Sequence, residues 1–254
     1  MHYKQVGLVA TTQNDTKSFL VLAMILILSS ASACQVLETA AVKTAPAVNQ
    51  AQSPGQIATP ILATGNFDYF ILALSWSPDY CASNSGDVQE CALGRKLAFV
   101  LHGLWPEFNK GYPSSCTDEK LPPEVKAQFE GLFPNDSLFA HEWEKHGTCT
   151  GLSPQLYFTL AKQIKDSIQI PDIFRAPGAP FRLSANQLKQ QFTAANPGLS
   201  GPSLAVFCSG SGRFLSELYV CFSKDGKTTA CSVEIIKDAS KSCQNADFLV
   251  RNIR

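Results

Sequence analysis

The chain has 254 residues, 45% of them hydrophobic and 17% charged, enough to bury one substantial core or two small ones. Its 21 lysines and arginines balance 21 aspartates and glutamates. That balance argues against a protein that holds nucleic acid on a broad basic surface, because such binding neutralises many phosphates at once.

Nine cysteines, none in closely spaced CxxC pairs, read as disulfides rather than zinc knuckles and imply an oxidising compartment. The N-terminus agrees. A leader carrying Lys4 and Lys17 precedes the ten apolar residues FLVLAMILIL, Phe19 to Leu28. That run is too short to span a bilayer and suits a signal peptide over residues 1–33. Ala31-Ser32-Ala33 is a small-x-small cleavage site, yet Cys34 follows it directly. Three readings stay open: lipidation at Cys34 with membrane tethering, ordinary secretion or periplasmic release after cleavage, and an uncut anchor. Without Cys34, eight cysteines remain, all able to pair. Ala31, however, stands where lipidation signals usually carry Leu.

Residues 34–64, rich in Ala, Thr, Gln, Val and Pro without periodicity, read as a low-complexity tether. A single domain is expected over residues 65–254. It opens on FDYFILALSWSP, a strand-like run ending at Pro78. KLAFVLHGLWP predicts a second buried strand that delivers His102 at its end, where Gly103 permits a turn. The spacing of Val125, Phe129 and Leu132, and of Leu156, Leu160 and Ile164, predicts helices around 122–133 and 153–170. Two β-rich segments around Asp225-Gly226, within 214–236, predict a hairpin that sets Cys221 opposite Cys231. Separate strands and helices without a βαβ rhythm predict an α+β fold, an antiparallel central sheet flanked by helices.

His2 lies in the leader, so the domain's histidines fall in two places: His102, and the pair in HEWEKHGTC, His141 and His146. At about 100° per residue on a helix, His141, Lys145, Glu142 and His146 fall at roughly 0°, 40°, 100° and 140°, one polar face opposite Trp143. Asn135, Asp136 or Ser137 could cap its start and Gly147 close its end. A zinc protease helix places two histidines four apart. Here they are five apart, and Lys145 would add positive charge to the cage, so no metal is expected. Alone, the segment could equally be a solvated helix end with pairs such as Glu142 with Lys145.

Together, FVLHGLWP and HEWEKHGTC resemble the two signature motifs of the ribonuclease T2 family, the secreted transferase-type acid ribonucleases related to plant S-ribonucleases. The resemblance extends to LALSWSP and LSELYVCF and covers roughly residues 66 to 254. It implies endonucleolytic cleavage of single-stranded RNA through a 2′,3′-cyclic phosphate to 3′-phosphate ends. The chemistry is consistent on its own terms. Cleavage without metal needs a base for the ribose 2′-OH, an acid for the departing 5′-oxygen and cations for the phosphorane. Two imidazoles can share one proton in mildly acidic water.

By resemblance His146 is the general base, His102 the general acid, Glu142 with Lys145 the pair supporting the transition state, and His141 a phosphate ligand. Trp105 resembles a base-stacking residue, with a core tryptophan beside Pro106 as the alternative. Glu107 stands where the family commonly has Asp or Asn. The resemblance also suggests the pairings Cys81–Cys91, Cys116–Cys149, Cys208–Cys243 and Cys221–Cys231. No cofactor and no stable nucleic-acid complex are expected, and a monomer is the default.

Overall fold

The computed structural model describes residues 61–244 and 247–253. The expected leader, Cys34 and the tether up to residue 60 lie outside the described residues. Residues 61–65, at the expected end of the tether, already pack on the domain: Ala63 is buried, and Gly65 N–H donates to the Thr150 carbonyl at 2.8 Å. Among the described residues no helix is long and apolar enough to cross a membrane.

The elements run β1 (Tyr69–Trp76), α1 (Ser77–Ser83), α2 (Val88–Cys91), β2 (Phe99–Glu107), α3 (Pro123–Gln128), α4 (Ser137–Lys145), α5 (Pro154–Ser167) and α6 (Asp172–Arg175). They continue through β3 (Phe181–Leu183), α7 (Ala185–Ala195), β4 (Leu204–Ser209), β5 (Phe214–Ser223), α8 (Val233–Ser242) and β6 (Phe248–Val250). The α+β class holds. The strands form a six-stranded sheet in the order β2-β1-β5-β6-β3, with β4 on β5. The sheet is mixed rather than purely antiparallel, because β5 and β6 meet in parallel at Phe214 and Leu249.

β1 is apolar on both faces because both are covered. Phe70, Leu72, Leu74 and Trp76 enter the main core, with Trp143, Tyr157, Phe158 and Leu160 from the helices. Tyr69, Ile71 and Ala73 face a smaller cluster with Cys221 and Ala239, under α8. Leu160 and Ile164 are buried on α5 as their spacing requires, whereas Leu156 is exposed.

Two expected elements differ. The second arm of the hairpin is a helix: Ser232 accepts from Ile235 N–H and caps α8, so only a bridge from Phe222 to Thr228 remains of the pairing. Cys221 and Cys231 are nevertheless disulfide-bonded. β2 also does not end at His102 but runs on to Glu107. Its register with β1 slips between Ala73–Gly103 and Leu74–Leu101, which leaves His102 as the extra residue of a β-bulge.

Candidate active site

The bulge determines which residues can meet. In a regular strand, residues three apart point to opposite faces. The extra residue resets the alternation, so Leu101 and Leu104 both enter the main core while His102 and Trp105 share the other face. Their rings lie edge to face with centroids 5.0 Å apart. Gly103, between them, makes no turn. A Cβ there would sit 2.0 Å from Glu142 Oε2 and 2.2 Å from Trp105 Nε1, so glycine is needed to let α4 approach β2.

α4 supplies the facing residues. Asn135 Oδ1 accepts from Leu138 N–H and from the Ser137 hydroxyl, satisfying donors at the helix start, although the N-cap position itself is Asp136. The helix ends at Lys145, and His146, its C-cap, turns inward with its N–H still bonded to the Glu142 carbonyl. Gly147 opens a 3₁₀ turn instead of closing α4 as a left-handed cap, and its missing Cβ leaves room for the Trp143 ring. Trp143 is fully buried and donates to the Glu119 carbonyl at 2.8 Å.

Glu142 is not paired with Lys145. It is buried, accepting from Trp105 Nε1–H at 2.7 Å through Oε2, while Oε1 has no partner. Burial pushes its carboxyl up to about 7 against the pull of His102, the Trp105 hydrogen bond and Lys145. His146 stacks on Trp105 at 5.2 Å and 24°. Its Nδ1 is buried and unpartnered, and burial, then the charges of Lys145, His141 and His102, press the imidazole down to about 3. His141 is exposed on the rim and is also lowered, by burial and Lys145.

His102 experiences the opposite field. Burial disfavours its cation, but a 2.7 Å hydrogen bond from Nδ1 to Glu217 Oε1, the Glu217 charge, and Glu142 and Glu90 raise its pKa above the ordinary value. Glu217, on β5, was not singled out in the sequence. The available signal was a lone carboxylate in the otherwise apolar strand FLSELYVCF.

His102, Trp105, His141, Glu142, Lys145 and His146 line a cavity of about 380 Å³ that extends past Phe108, Tyr112 and Phe207 to Glu234 on α8. Tyr112, 54% exposed and 5.9 Å from Lys145 Nζ, is an aromatic at its rim that sequence reasoning also missed. Trp105 is neither a plain core residue nor a free platform: its ring is held by His146, His102 and Tyr219. Glu107 is buried in the cavity wall, where burial and Glu234 outweigh Lys145 and push it up to about 8.

Ligand atoms of His141, Glu142 and His146 lie within 4.8 Å of one another, closer than their spacing on a continuous helix suggested, because His146 leaves the helix. They could reach one metal ion. The Lys145 charge that depresses both imidazoles would oppose a cation there.

Four disulfides brace the domain: Cys81–Cys91, Cys116–Cys149, Cys208–Cys243 and Cys221–Cys231. Cys116–Cys149 closes 33 residues and fastens the loop after β2 to the turn after His146. Ser115 N–H to Lys145 O at 2.9 Å reinforces the joint. Replacing both cysteines with serine should cost about 3 to 4 kcal/mol in a urea titration on the chain-entropy account. RNA cleavage should fall well below the urea midpoint of the variant. Activity that survives to that midpoint would show that the bridge does not hold the site.

The ribonuclease T2 family profile matches residues 67–235. The chain belongs to the ribonuclease T2 family. It is an endoribonuclease on that ground. It is 40% identical over 201 residues to a ribonuclease of Aeromonas hydrophila, covering 75% of this chain and 88% of that protein. It is 28% identical over 185 residues to ribonuclease MC of Momordica charantia, covering 64% and 92% of the two chains. Among solved structures, ribonuclease MC1 from bitter gourd seeds has a TM-score of 0.52 at 24% identity over 64% of this chain and 92% of that one. A mutant of it in complex with 5′-UMP has a TM-score of 0.56 at 24% identity, covering 72% and 97%. These two likenesses concern the fold.

Proposed function

We propose that this ribonuclease T2 family member cleaves single-stranded RNA without a metal, by transphosphorylation between two imidazoles in opposite electrostatic states. The observation that carries the reading is the pair flanking Trp105. His146, among cations and without a partner for Nδ1, is neutral and able to accept a proton; His102, bonded to a carboxylate, retains one.

In the first step His146 takes the proton of the ribose 2′-OH, the 2′-oxygen bonds to phosphorus, and the bond to the 5′-oxygen breaks. His102 donates its proton to that oxygen. Lys145, His141 and the protonated fraction of Glu142 face the negative oxygens of the phosphorane. The product is a 2′,3′-cyclic phosphate. Water then opens it to a 3′-phosphate, with His102 taking a proton from the water and His146 returning one to the 2′-oxygen. Tyr112 and Phe108 offer ring faces to a base, and Glu107 offers a carboxyl to its edge. Four disulfides suit an extracytoplasmic protein, periplasmic or secreted.

A second reading rests on the proximity of His141, Glu142 and His146, which a metal could exploit. Digestion of RNA in EDTA separates the two. Activity should persist with chelator across about pH 4 to 7, because the base has a pKa pressed to about 3 and the acid one held above the ordinary imidazole value of about 6.5. Loss of activity on chelation, restored by a divalent ion, would establish the metal reading, and cleavage that passes through no cyclic phosphate even at early times would exclude transphosphorylation.

A further inference from the structure

We infer that Glu217 is a positioning residue for His102, holding its Nδ1–H inward so that the opposite ring nitrogen is presented to the scissile phosphate, within a carboxylate network built by Ser75 and Tyr219. The inference rests on the proposed acid role of His102. Glu217 Oε1 accepts from His102 Nδ1 at 2.7 Å and from the Ser75 hydroxyl at 3.0 Å, and Oε2 accepts from the Tyr219 hydroxyl at 2.9 Å. Both oxygens are thus engaged, and the carboxylate is fixed before it meets the imidazole.

The sheet produces this arrangement. β1 and β5 pair antiparallel with Ser75 opposite Glu217 and Ala73 opposite Tyr219. The bulge on the other side of β1 turns His102 onto the same face. An imidazole acting through one nitrogen needs the other committed, and a carboxylate commits it as the N–H tautomer while stabilising the cation. The charged and titratable groups acting on His102 are Glu217 from β5, Glu142 and His141 from α4, His146 at the end of α4, and Glu90 from α2, while Tyr219 from β5 reaches it through Glu217. Of these only Glu217 is hydrogen-bonded to the ring, and its own pKa is lowered despite burial by the bonds from His102, Tyr219 and Ser75.

His102 is the acid in transphosphorylation and the base when it activates water, and in both it carries the higher pKa of the two imidazoles, so Glu217 should act on the alkaline limb of both pH profiles. Glu217→Gln should lower kcat for RNA cleavage on the order of 100-fold, as loss of a buried imidazole partner does elsewhere. It should also move the alkaline limb of that pH profile to lower pH. In the hydrolysis of a nucleoside 2′,3′-cyclic phosphate the alkaline limb should likewise move to lower pH, because His102 carries the higher pKa of the two imidazoles there as well. Glu217→Asp, which keeps the charge, should restore both limbs towards wild type. In the His102→Ala background, Glu217→Gln should have little further effect on either step. Nitrogen NMR of the wild-type protein should show the Nδ1–H tautomer of neutral His102 and a titration above the ordinary imidazole value. Unmoved limbs in a folded Glu217→Gln protein, or a wild-type His102 that titrates at or below that value, would overturn the inference. If wild type formed no cyclic phosphate, or His102→Ala cleaved RNA normally, the failure would lie with the proposed function instead.

Discussion

Replacing His146 or His102 with alanine should lower the rate of RNA cleavage by about 10²- to 10⁴-fold each, the range of a positioned acid or base, while the protein stays folded. The two variants should differ with a substrate whose leaving group needs no proton. A nucleoside 3′-(4-nitrophenyl phosphate) departs as a stabilised phenolate, so removing the acid should matter little and removing the base should matter as before. His102→Ala should therefore recover most of the wild-type rate on that ester, and His146→Ala should not. The reverse pattern would exchange the two roles; near-native cleavage of RNA by either variant would remove that residue from the mechanism.

Gly103→Ala should be nearly as damaging, although it removes no functional group. The added methyl would lie 2.0 Å from Glu142 Oε2, 2.2 Å from Trp105 Nε1 and 2.8 Å from Glu142 Cδ. Those atoms are locked to one another by the 2.7 Å Trp105–Glu142 bond, and Glu142 is wholly buried, so they have little room to yield. Separating α4 from β2 is the remaining response. It should cost about 1 to 3 kcal/mol of stability, as overpacking does. The resulting shift between His102 and His146, on the order of 1 Å, should reduce kcat about 100-fold. Both follow from thermal unfolding and RNA digestion on one preparation. A variant with lowered stability but wild-type kcat would show that the α4–β2 spacing does not set the catalytic geometry.

The lesson of Gly103 is general for this protein. Read locally, glycine after His102 signals a turn, and in the structure it signals a close approach between two elements far apart in sequence. The helix of HEWEKHGTC was legible because its polar face depends on residues within two turns. The histidine spacing and the identity of the second motif then pointed to an acid-base pair. Ser232 by contrast decided the fate of the segment after Asp225-Gly226: a cap with Glu234 in the first turn launches a helix where β-rich composition suggested a strand.

Local chemistry thus marked the candidate residues: the three histidines, Glu142 and Lys145 stand in two short motifs that are read without distant contacts. Only the tertiary structure decided how they are charged and who holds them. A bulge on β2, visible only against its partner β1, turns His102 to face Glu217 across the sheet, and the end of α4 turns His146 into a buried place beside Lys145. Protonation is set by desolvation and by charges close in space but up to 115 residues away in the chain, as His102 and Glu217 are. No local pattern carries that information.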